Sequence, residues 1–208
     1  MGTVDPTQLP VQIQTVSIIL PNVTIYYPMV TGLQNANAEE SINQAIYQQV
    51  QALIAQQGFY QNPAGTQMTG YYEIKTNERG ILSLTLGNYA YIQYHAHGLT
   101  ILKAITADIH TGRIYRLQDL FKPGSDYVRR LSDLIRVQIR QRNIPLLNDF
   151  KGIRPDQDFY IADKSLVVYF QLYEMTPYYY GFPMFPISVY ELQDILDENG
   201  PLGKMLPG

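Results

Sequence analysis

Three histidines, one acid among aromatics and a run of tyrosines are the residues whose types and spacing could do chemistry. His95 and His97 lie two apart, so on a strand they share a face. A metal site needs a third ligand, which Asp108 or His110 would supply if the neighbouring strand pairs in register. A loop histidine with a hydrogen-bonding partner fits the same spacing, so no metal and no cofactor is assigned. Glu174, within Tyr173-Glu174-Met175-Thr176-Pro177-Tyr178, follows an apolar strand and is flanked by tyrosines. Such a setting can raise a carboxyl pKa. Glycoside hydrolysis needs a second carboxylate at a set distance, and nothing in the sequence places Asp108 or Asp119 there. A structural Glu held by tyrosine hydroxyls or backbone amides fits equally. Ser83, Ser125, Ser132, Ser165 and Ser188 read as strand, cap, helix or turn residues, and no nucleophile elbow, P-loop, H-E-x-x-H or G-x-G-x-x-G is present. No catalytic residue is assigned. Tyr178-Tyr179-Tyr180 offers large area, few rotamers and polar tips, which suits a recognition surface or a sugar ring. The same loop also fits rings folded onto a sheet, with Pro177, Gly181 and Pro183 fixing the turn.

Composition bounds what can carry these residues. The chain has 208 residues, enough for a core without disulfides or metal. Lys+Arg is 15 and Asp+Glu 18, for a net charge of −3, and only 16% of residues are charged. That excludes a basic nucleic-acid binder and a highly charged disordered chain. No apolar run reaches the ~18 residues of a membrane span. Cysteine is absent, which removes disulfides, thiolate metal sites and thiol nucleophiles. Tryptophan is absent too, while tyrosine reaches 18. Met1-Gly2-Thr3-Val4-Asp5-Pro6 has neither a basic region nor an apolar core, so it is not read as a signal peptide. Pro6 stands where myristoylation needs Ser or Thr. Two compartments stay open: a cytosolic protein, or an exported one whose signal has been removed.

The elements follow from periodicity. Residues 12–20 and 23–27 read as a β-hairpin across Pro21-Asn22. Asn35 or Asn37 caps a helix over 37–57, with Ile42, Ile46, Val50, Leu53 and Ile54 inward and glutamines outward as a solvated face. Gly58 stops it. Residues 70–76 and 81–94 form a second hairpin across Asn77-Glu78-Arg79-Gly80, and 99–109 another strand. A helix over 125–142 sets Leu131, Leu134, Ile135 and Ile139 against Arg129, Arg130, Arg136, Arg140 and Arg142, read as a solvated face. Residues 159–161 and 166–172 form a third hairpin across Asp163-Lys164, and Phe185-Pro186-Ile187 re-enters the sheet. Ser188 with Glu191 fits a capping box for a last helix over 188–198.

Several strings in this order resemble a known family. Tyr91-Ile92-Gln93-Tyr94-His95-Ala96-His97-Gly98 precedes a strand and Thr111-Gly112-Arg113. Leu117-Gln118-Asp119-Leu120-Phe121-Lys122-Pro123-Gly124 precedes a helix. Then come Phe159-Tyr160-Ile161, Tyr169-Phe170-Gln171-Leu172-Tyr173-Glu174, Pro177-Tyr178, Gly181-Phe182-Pro183 and Phe185-Pro186-Ile187. Together they resemble a bacterial domain family without an assigned activity, found in the extracytoplasmic part of RsiV-type anti-sigma factors and ahead of the catalytic domain of PdaC-type peptidoglycan deacetylases. Residues 11–94 resemble the companion module upstream of it. The resemblance implies an extracytoplasmic, cell-envelope setting and a partner such as lysozyme. Relatives carry a small, Gly-rich stretch where this chain has Tyr94-His95-Ala96.

The expected fold is α+β: antiparallel hairpins packed against three helices, with modules at 11–94 and 95–198 joined as one unit and a loose tail at 199–208. Three functions compete. The first is a non-enzymatic binding module that recognises a protein, lysozyme-like, or a cell-wall glycan through His95, His97, Tyr173, Glu174, Tyr178, Tyr179 and Tyr180. The second is a glycan or peptide hydrolase using Glu174 with a histidine. The third is a structural or assembly protein. No nucleic acid and no membrane insertion are expected.

Overall fold

The first two β-rich runs form β1 (Gln12–Leu20) and β2 (Val23–Thr31), paired antiparallel, with Asn22 at φ 63° completing the tight turn. The computed structural model describes residues 10–206. The readings made on residues 1–9 and on 207–208 lie outside the described residues. Helix α1 (Ala36–Gln56) starts at Asn35, whose side chain accepts from the N–H groups of Asn37 and Ala38. Its buried stripe is Ala38, Ile42, Ile46, Val50, Leu53 and Ile54, and Gly58 leaves it at φ 81°. Strands β3 (Thr66–Glu78), β4 (Ile81–Ile92) and β5 (Leu99–Asp108) complete a five-stranded sheet of order β1-β2-β3-β4-β5.

That sheet is mixed rather than wholly antiparallel, which corrects the expectation. β2 and β3 run parallel through Val23–Ile25 and Met68–Gly70. The reason is the connection: α1 carries the chain back to the starting end, and a crossover helix makes adjacent strands parallel. The ladder is short, and Pro28 in β2 has no N–H to extend it.

A second sheet, β6 (Phe159–Ala162), β7 (Ser165–Tyr169) and β8 (Met184–Ser188), is antiparallel. Helix α2 (Tyr127–Gln141) packs on it through Leu131, Ile135 and Ile139. The arginines of α2 make local bonds: Arg136 reaches Asp133 at 2.6 Å, Arg130 lies 3.7 Å from Asp194, and Arg142 donates to Met184 O at 2.8 Å. The sheets meet at β6, where the Ile161 N–H donates to Ser83 Oγ at 3.0 Å and Thr76 Oγ1 donates to Ile161 O at 2.9 Å. One core cluster fills the space between α1 and the large sheet, and β5 contributes Ile105 and Ala107 to it. Another lies under α2, and Leu102, Tyr160, Val167 and Tyr169 form a smaller one between the sheets.

Two further expectations are corrected. The third helix is absent: the capping box forms, with the Ser188 N–H donating to Glu191 and Ser188 Oγ accepting from Tyr190 N–H, but only a single 3₁₀ turn over Val189–Leu192 follows. The chain instead straightens to meet another segment. The Lys122 N–H donates to Ile195 O, the Asp197 N–H donates to Leu120 O, and Phe121 bridges Leu196. The expected loose tail is also packed as far as it is described. Leu202 and Met205 are fully buried, and Arg79 donates to the carbonyls of Lys204 and Leu206.

Candidate functional site

Two loops meet at one end of the β4–β5 pair. The first, residues 93–98, joins those strands; the second follows β7. The second is fastened to the free edge of β5 by one side chain. Gln171 Nε2 donates to Leu102 O at 2.6 Å while its Oε1 accepts from the Leu102 N–H at 3.1 Å. The amide thus takes the place of a neighbouring strand. Asp158 supports it, accepting from Gln171 at 2.9 Å and from Lys103 at 2.9 Å. Below, the Tyr169 hydroxyl donates to Leu102 O at 3.3 Å, and burial, with Asp158 nearby, pushes its pKa up.

On this base three rings come together. His97 and Tyr178 have centroids 5.0 Å apart, Tyr173 and Tyr178 5.4 Å, and His97 and Tyr173 6.2 Å. His97 Nδ1 lies 2.9 Å from Gly98 O. A carbonyl only accepts, so Nδ1 holds a proton, and Nε2 shares a hydrogen bond with the Tyr173 hydroxyl at 3.2 Å. Both ring nitrogens are therefore engaged. Tyr173 and Tyr178 stay 47% and 38% exposed, and Tyr179 78%, so the cluster is a surface and not a core. Each loop also holds a tyrosine at positive φ: Tyr94 at 72° and Tyr173 at 65°. Bulky residues seldom occupy that region, and such strain gathers at functional sites.

The remaining expected residues fall elsewhere. Tyr180 turns inward against the α2 core, 3.5 Å from Arg142. Among the described residues His95 forms no ring pair or side-chain hydrogen bond with the cluster; with His97 it lines a groove of about 420 Å³ beside Gln57, Ile92, Leu99 and Ile101, of which Glu174 is not part. Glu174 is held by the Arg154 guanidinium and accepts from the Gln171 N–H at 2.7 Å, closing the turn that aims Tyr173. Burial pulls Arg154 down, but its hydrogen bond to Glu174 and the charges of Glu174, Asp156 and Asp158 together outweigh this and raise its pKa. This arrangement makes Glu174 a structural acceptor. Asp108 and His110 cannot join His95 and His97 around an ion. Leu99 pairs with Ala90 at one end of β5 and Asp108 with Ile81 at the other, roughly 30 Å along the strand. Asp108 instead accepts from Lys204 Nζ at 2.7 Å and from the N–H groups of His110 and Thr111. Among the described residues no three His, Asp or Glu side chains form a metal-binding group, and no helix is long and apolar enough to cross a membrane.

Sequence reasoning missed Tyr94, 90% exposed on the first loop, and the anchors Gln171 and Arg154. Tyr94 stood in the string already singled out. Gln171 also stood in a quoted string, but its role and that of Arg154 depend on the packing of one sheet against the other.

Residues 118–190 match the family described as protein of unknown function (DUF3298). It is homologous to the anti-sigma-V factor RsiV of Bacillus subtilis strain 168, with 30% identity over 190 residues. The peptidoglycan-N-acetylmuramic acid deacetylase PdaC of the same bacterium is 25% identical over 135 residues. These alignments cover 84% and 62% of this chain, but 65% of RsiV and 29% of PdaC. Two crystal structures share the fold. A DUF3298 protein from Pseudomonas aeruginosa PAO1 superposes with a TM-score of 0.71 over 97% of this chain and 98% of that one. One from Bacteroides fragilis NCTC 9343 gives 0.69 over 95% and 98%. Both are 14% identical to this chain, so they establish the fold alone.

Proposed function

We propose that this chain is an extracytoplasmic recognition module that binds a protein partner through the exposed aromatic surface of its two joined loops, with a cell-wall glycan as the competing ligand. The observation that carries this reading is the His97–Tyr173–Tyr178 stack, which joins His97 to a loop beginning 76 positions away at Tyr173 and is left open to solvent. Stacked rings on a pinned base present large area at small entropic cost. Glu174, the acid beside these rings in sequence, is paired with Arg154. The homology to an anti-sigma factor supports a protein partner, and lysozyme is the partner the family resemblance implies. The homology to a peptidoglycan deacetylase keeps the glycan in view. The hydrolase reading lacks support here, because Glu174 is locked in a turn and His97 has both nitrogens occupied.

The test is a calorimetric titration with lysozyme and, separately, with soluble peptidoglycan fragments. The parent is compared with a Tyr173→Ala, Tyr178→Ala, Tyr179→Ala variant whose fold is verified by circular dichroism. Saturable lysozyme binding, weakened about a hundredfold or more in the variant, is the expected result. Binding of the fragments alone would replace the protein by the glycan. No binding of either by the folded parent overturns the proposal.

A further inference from the structure

A second cleft, of about 460 Å³, opens well apart in the chain from the aromatic loops, where residues 113–115, 118–127 and 197–200 meet. Its frame is preformed. Segments 120–122 and 195–197 are stitched by the Lys122 N–H donating to Ile195 O at 2.8 Å and the Asp197 N–H donating to Leu120 O at 3.0 Å. Tyr127 lies flat on Phe121, with centroids 5.0 Å apart and planes 8° apart. The lining holds two cations and two carboxylates, so its formal charge is zero. Those charges are largely spent locally: Arg113 lies 3.3 Å from Asp119, Lys122 lies 3.5 Å from Glu198, and Asp119 also accepts from the Arg116 N–H. Four polar groups lining the cleft remain without a partner among the described residues. They are the side-chain amides of Gln118 and Asn199, the second oxygen of Asp197, whose first accepts from the Asn199 N–H, and the buried Ser125 Oγ.

We propose that this cleft binds a neutral sugar ring. Amides donate and accept, a carboxylate accepts from adjacent hydroxyls, and a flat aromatic wall packs against ring C–H groups. A phosphorylated ligand is disfavoured, because both lining cations already sit beside carboxylates and the Asp197 carboxylate faces the same space. A purely apolar ligand would leave four polar groups unpaired. The cleft's volume falls in the range of small-ligand sites. This site does not depend on the aromatic loops or on what they bind.

The experiment is a protein-observed NMR titration with glucose, galactose and N-acetylglucosamine. It uses the parent, a Gln118→Ala, Asn199→Ala variant and a Tyr173→Ala, Tyr178→Ala variant. Gln118 and Asn199 are exposed and their side chains hold no structural bond, so that variant keeps its fold. At least one sugar should saturate the parent with Kd of about 1 mM, the range open to a ligand of roughly a dozen heavy atoms. The amide variant should weaken it about tenfold, and the tyrosine variant should leave it unchanged. No saturation of the parent by any of the three sugars overturns the proposal. So does binding that survives the amide variant, and so does binding lost only in the tyrosine variant, which would move the sugar to the aromatic loops.

Discussion

Asp108 shows how one carboxylate can join distant parts of this chain. Burial alone would raise its pKa, but the Lys204 ammonium and the N–H groups of Thr111 and His110 outweigh burial and lower it to about 2. A carboxyl depressed in the folded state stabilises it above the unfolded value near 4 and loses that contribution as pH falls toward 2. The contribution is about 2 kcal/mol at neutral pH. Asp108→Asn should therefore melt earlier than the parent at pH 7 and match it near pH 2, as read by thermal melts across that range. Tyr94 pulls the other way. At φ 72° and 90% exposed, it is strained without being packed. Tyr94→Gly should stabilise the fold by about 1 kcal/mol in urea unfolding while weakening partner binding. At this scale the site was half legible. His97, Tyr173 and Tyr178 announced themselves by type and by their strings. The inward turn of Tyr180 and the locking of Glu174 did not, because both depend on arginines, Arg142 and Arg154, that sequence proximity does not connect to them.

Among the elements, the loop after β7 is fastened to the edge of β5 by Gln171. Gln171→Ala removes both side-chain bonds to Leu102 and one to Asp158. It should cost about 2 kcal/mol and speed amide exchange over residues 171–181, with α1 unchanged as the internal reference. Helices α1 and α2 were legible because their apolar residues repeat at helical spacing over many turns. The capping box at Ser188 was legible too, yet it starts only one turn. A cap is local, whereas continuing the helix would have forfeited the bonds of Ile195 and Asp197 to Lys122 and Leu120. The parallel β2–β3 pair could not be read from alternation, which is the same for either direction.

In the whole molecule, the two sheets and the chain's last described segment close on one another. Leu202 and Met205 are buried in the α2 core, and Lys204 reaches back to Asp108 at the end of β5. Leu202→Ala should destabilise by about 3 kcal/mol in urea unfolding, which a loose tail would not. A chain end is expected to be loose, but long-range burial holds this one. The same closure fixes the two aromatic loops, since β5 belongs to one sheet and Gln171 to a strand end of the other. The central claim is that these loops are the recognition surface. Amide hydrogen exchange with and without saturating lysozyme tests it most directly. The account predicts slowed exchange over residues 93–98 and 171–181, with the glutamine face of α1 unaltered. Protection elsewhere with these loops unchanged, or no protection anywhere, would contradict it.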